Sequence, residues 1–191
     1  MRFITFLVAS FIIWPSVFSV TPKDVCLKKI TKLLSTFLTS LQLGKALDGM
    51  FTDGYNGNAD FEDVLANVQD TIYSGLTNTQ LMTAMNIMGG LNNDLGSADA
   101  STALENLMSA IQTALFPNAQ KIFVKIQSMK TAGKPKAKCL QKGYKMMNKI
   151  FTKGKVKKIL QQVKDSVGTK SWNSVQTRMS GVLKFSQYTL T

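Results

Sequence analysis

Histidine is absent from the 191 residues, cysteine and tryptophan appear twice each and proline four times. Without histidine there is no Ser-His-Asp triad, no Cys-His nucleophile pair and no histidine-bearing zinc or haem site. Two cysteines exclude a Cys₄ metal centre and a densely cross-linked small scaffold. No Asn-x-Ser/Thr sequon occurs, so N-glycosylation is not expected. The G-x-S-x-G, Walker A and G-x-G-x-x-G patterns are missing as well. Strand-type alternation is not evident anywhere. Lys and Arg do not occur at all between residues 48 and 120.

Long apolar runs are also lacking, with one exception at the N-terminus. Arg2 precedes a nearly continuous apolar stretch from Phe3 to Trp14, and Val17 and Ser19 occupy the −3 and −1 positions of a small-residue cleavage site. Residues 1–19 therefore read as a secretory signal cleaved after Ser19. Pro15 and Ser16 interrupt the run before it reaches the ~20 apolar residues that span a bilayer. Secretion to the extracellular space is the expectation, and residues 20–191 then form a single domain. In an oxidising compartment Cys26 and Cys139 are expected to pair as one disulfide joining the first helix to the C-terminal third. So long a loop would stabilise the fold by about 4–5 kcal/mol in the chain-entropy model.

Charge is distributed in blocks. Residues 20–47 carry five Lys against one Asp, residues 48–120 carry nine acids, and residues 121–191 carry 17 basic residues against Asp165 alone. Opposite blocks either face each other in the fold or leave a basic surface for an acidic partner.

Periodicity is helical almost throughout. Thr21-Pro22-Lys23-Asp24 reads as an N-cap, and Cys26, Ile30, Leu33, Leu34, Phe37, Leu38 and Leu41 continue a stripe that Gly44 or Gly49 would end. Residues 51–60 are rich in turn formers and read as a loop. A helix then carries Phe61, Val64, Leu65, Val68 and Ile72 and stops at Gly75. Thr77 and Gln80 make a capping box for the next, which ends at Gly89-Gly90. Leu104, Leu107, Met108, Ile111 and Leu115 mark a helix halted by Pro117, and Ile122, Phe123, Ile126 and Met129 mark another, ending near Gly133-Lys134-Pro135. Three cationic helices follow, built on Leu140–Phe151, Val156–Val167 and Trp172–Phe185. The expected fold is all-α, a compact single domain of about seven or eight short helices with one disulfide.

Chemistry-bearing motifs are few. Reading an EF-hand from Asn56 places Asn58 and Asp60 correctly but puts Phe61 at the glycine position and Asn67 at the bidentate glutamate. No metal is expected there. Asp60, Glu62 and Asp63 are the only dense carboxylate group, and in a first helical turn they suit the helix dipole better than acid-base catalysis. No catalytic residue and no cofactor is expected. Met82, Met85 and Met88 stand three apart on one helix, either core or a deformable lining for an apolar ligand. Lys142, Lys145, Lys149, Lys153 and Lys157 recur at helical spacing opposite Leu140, Tyr144, Met147 and Phe151, a pattern suited to acidic membranes or polyanions. Nucleic acid is disfavoured, since no stacking aromatics interleave with the basic stretch. The sequence thus points to a secreted, non-catalytic binding protein that holds a lipid or other apolar small molecule between helices. The alternative is a cationic protein that engages acidic membranes, glycans or an acidic protein partner.

Overall fold

Residues 20–34, 37–57, 60–188 and 190 are described by a computed structural model. The expected signal, residues 1–19, lies outside them. Eight α-helices are found among the described residues: α1 (Pro22–Leu33), α2 (Ser40–Asn56), α3 (Phe61–Ser74), α4 (Asn78–Leu95), α5 (Ser97–Thr131), α6 (Lys136–Ile150), α7 (Lys153–Val167) and α8 (Thr169–Met179). A short 3₁₀ turn, Phe185–Gln187, follows. Together they make one all-helical domain.

Local chemistry explains the helix starts. Thr21 and Asp24 form a reciprocal capping box at α1, with Pro22 at the first position. Thr39 with Gln42 and Thr77 with Gln80 do the same for α2 and α4. The two capping glutamines also meet each other. Gln42 Nε2 donates to Gln80 Oε1 at 2.9 Å and to the Gly75 carbonyl at 2.6 Å, while Gln80 Nε2 donates to the Phe37 carbonyl. Two helix junctions, α1–α2 and α3–α4, are tied together by two side chains.

Several element ends depart from expectation, each for a packing reason. The first stripe breaks after Leu33, and Thr39 opens a separate helix. That helix runs through most of the expected loop to Asn56, because Met50, Phe51 and Gly54 are buried and hold the turn-forming residues helical. Gly54 is required for size, since a Cβ there would lie 2.9 Å from the Phe123 ring. Helix α4 continues through Gly89 and Gly90 to Leu95. A Cβ on Gly90 would meet Arg178 Cδ at 2.8 Å, so the missing side chain is the space in which Arg178 crosses to Asp94. Helix α5 continues through Pro117 for 35 residues, about 50 Å. Proline costs an interior helix about 3 kcal/mol. Here it is exposed, and both flanks are anchored by buried residues.

Two cores lie along α5. The first joins α1, α2, α3, α6 and the C-terminal half of α5 around Phe51, Phe61, Ile122, Phe123, Ile126 and Tyr144. The second joins α4, α7, α8 and the N-terminal half of α5 around Leu91, Ala100, Ala103, Leu107, Val163, Trp172 and Val175. Phe151, between α6 and α7, packs against both.

The expected disulfide is not formed. Cys26 and Cys139 both lie fully buried in the first core, but not at bonding distance, and both are free thiols. Each behaves as a small apolar side chain, a common use of cysteine in cores. Burial pushes the Cys26 thiol up to about 11. The Cys139 thiol lies 3.6 Å from the Lys134 carbonyl, to which it donates.

Candidate functional site

A partly buried polar clasp joins α1, α2 and α6. Asp48 of α2 accepts from the Tyr144 hydroxyl of α6 at 2.7 Å and pairs with Lys23 of α1, whose ammonium also stands 5.8 Å from the Tyr144 ring centre. Burial first, and the Asp48 hydrogen bond and charge after it, hold the Tyr144 hydroxyl far above its ordinary range. The tyrosine thereby joins three helices, α1, α2 and α6.

Of the acid candidates, Glu62 lines an open cleft of about 360 Å³ between α3 and α5, beside Leu65, Val68, Met108, Ile111 and Phe116. Asp60 precedes α3, and Glu62 and Asp63 occupy its first turn, all three exposed. Asn56 ends α2, and Asn58 lies outside the described residues. Among the described residues no three His, Cys, Asp or Glu side chains stand together as a metal site.

Helix α4 had two apolar stripes to choose between, and packing chose the other one. Ile87, Leu91 and Leu95 face the second core. Met82, Met85 and Met88 face outward, at 56%, 66% and 42% exposure. The row is neither core nor a lining between helices.

The five expected anion-binding lysines are all exposed, but the fold separates them. Lys142 and Lys149 line an open groove of about 370 Å³ between α5 and α6, where Lys121 and Lys125 of α5 and Lys155 of α7 join them. Ile122, Met146 and Ile150 form its floor. A second open cleft, about 480 Å³, adjoins it through Lys121, Lys125 and Met146 and extends past Val124 to Pro117. Lys153 lines a different cleft, with Lys29 and Lys32 of α1. Lys145 and Lys157 line none of these three. Sequence reasoning missed Lys121 and Lys125. Their i, i+4 spacing was visible, but the supposed break at Pro117 hid that they continue a long helix past α6.

No carboxylate lines the groove or its extension. The ion pairs among the described residues lie elsewhere: Lys23–Asp48, Lys170–Asp99 and Arg178–Asp94. In two of them the acidic and C-terminal basic blocks do meet. Lys130 is also occupied, donating to the Asn56 carbonyl at the end of α2 at 2.6 Å. Helices α6 and α7 begin without a side-chain cap or an acid in the first turn, and Lys136, Lys138, Lys153 and Lys155 stand there instead. Cations at the positive end of the helix dipole raise the local potential further.

No helix among the described residues is long and apolar enough to cross a membrane. A family model described as "Uncharacterized protein B0228.1-like" matches residues 3–179. No curated protein and no solved structure matches the chain.

Proposed function

We propose that this chain, which belongs to the B0228.1-like family, is an exported, non-catalytic protein that binds a linear polyanion of the sulfated-glycan kind along the groove between α5 and α6. One observation carries the reading: five lysines from three helices converge on a single groove with no acid among its lining residues. Bringing like charges together without internal partners costs free energy that a bound polyanion recovers. A groove with cations on both walls suits a chain-like ligand better than a flat bilayer. The lining holds no Phe, Tyr or Trp, which removes the stacking platform that single-stranded nucleic acid uses.

Heparin affinity at rising salt tests this. The variants Lys121→Gln/Lys125→Gln and Lys145→Gln/Lys157→Gln lose the same net charge, so only position distinguishes them. The first pair is expected to weaken binding by about fivefold per lysine, near 1 kcal/mol each. The second pair should change it little. Equal losses from both would show that heparin reads net charge and not the groove.

A further inference from the structure

The third cationic cleft has a different construction. About 470 Å³ in volume, it lies where the end of α1, the start of α7 and the C-terminal segment meet. Lys29, Lys32 and Lys153 supply three ammonium groups, and no carboxylate is among its lining residues. Lys29 is held in place, donating to the Asn148 carbonyl at 3.1 Å. Its lining also includes apolar Leu33, Phe151 and Val156 and the half-buried Tyr188. The C-terminal wall is fixed and not loosely draped. The Lys184 N–H donates to the Leu33 carbonyl at 2.9 Å, and Phe185 packs edge-on against Trp172 at 5.2 Å.

We infer that this cleft binds a small amphiphilic anion, one carboxylate, sulfate or phosphate monoester on an apolar body, with the head among Lys29, Lys32 and Lys153 and the body against Leu33, Phe151 and Tyr188. The volume falls within the range of small-molecule sites, which combine mostly apolar walls with a few convergent polar groups. A bare inorganic anion would leave the apolar wall wet, and a neutral lipid would leave three ammonium groups without a counter-charge. The polyanion groove, by contrast, is open along its length and has no aromatic lining. Because Phe151 packs on both cores, a ligand seated against it touches the seam between them, and its binding should raise the unfolding temperature.

Titration calorimetry with decanoate below its micellar concentration tests the inference, with decanol and inorganic sulfate as the neutral and head-only probes. Decanoate is expected to bind at a stoichiometry near one and to shift the thermal midpoint upward. Decanol and sulfate should each bind on the order of tenfold more weakly, as should decanoate to Lys32→Gln/Lys153→Gln. Both lysines are exposed, so the variant should keep the wild-type unfolding midpoint without ligand. Lys121→Gln/Lys125→Gln should bind decanoate like wild type even if it no longer binds heparin, which separates this site from the groove. Wild-type decanoate affinity in Lys32→Gln/Lys153→Gln, or decanol or sulfate binding as tightly as decanoate, would overturn the assignment.

Discussion

The two cores that share α5 solve the same packing problem with different material. The first is filled by large rings: Phe51 meets Tyr144 edge-on at 4.9 Å, and Phe61 meets Phe116 at 5.0 Å and Phe123 at 5.4 Å. The second has one ring pair, Trp172 and Phe185, and otherwise sets small side chains against each other across its central helix contact. Helix α5 presents Ala100, Ala103 and Ala110 there, and α7 answers with Val156, Val163 and Val167. One helix therefore changes character along its length, from alanine-faced to Ile122-Phe123-Ile126. The lesson is that burial alone does not define a core position. Ring-filled layers lose most when volume is removed, whereas small-residue layers lose most when volume is added.

Opposite substitutions in the two cores test that contrast most strongly. Phe51→Ala, at a side chain 1% exposed, should cost about 3–5 kcal/mol in urea unfolding. In the second core Ala103→Leu should cost about 1–3 kcal/mol by overpacking. If Ala103→Leu is neutral, the second core holds slack and the comparison fails.

The cores should also differ in their response to alkali. Cys26 and Tyr144 belong to the first core, and both are held in their protonated forms by burial first of all. The Cys26 thiol has a folded value of about 11 against an ordinary 9.0, so its contribution is complete below pH 9 and is lost as pH rises towards 11. Unfolding midpoints should fall over that window, and Cys26→Ala should flatten the fall. Two thiols per chain should react with a disulfide reagent only after unfolding. Rapid labelling of the native protein would contradict the burial of both.

The smallest expected effect lies beside the second core and has the opposite pH sign. Arg178 donates to Asp94 through Nε at 2.8 Å and through a terminal guanidinium nitrogen at 2.5 Å. That hydrogen bonding holds the Asp94 carboxyl below its ordinary range. The contribution is present at neutral pH and lost as pH falls through the folded value. Arg178→Gln should lower the thermal midpoint slightly at pH 7 and not at all in strong acid. An equal shift at both pH values would mean that Arg178 acts by packing its chain over Gly90, not by charge.

The sequence by itself determined the class of the fold and the places where several helices begin. Apolar spacing near 3.6 residues and the Thr21 and Thr77 boxes are local signals, satisfied within four residues of chain. It also determined the charge blocks, because charge is a count. Tertiary structure decided where helices stop: Gly89-Gly90 and Pro117 would break isolated helices, yet contacts with α8 and the two cores keep α4 and α5 intact. The same level decided that Ile87, Leu91 and Leu95, not the methionines, face inward, since both stripes satisfy the helical period and only the neighbouring helices distinguish them. It decided the fate of the cysteines too, because a bond needs an approach that spacing along the chain does not specify. The lysine groove belongs to this level as well. Lys121 and Lys125 lie on one helix and Lys142 and Lys149 on the next, and only the packing of α5 against α6 makes one surface of them.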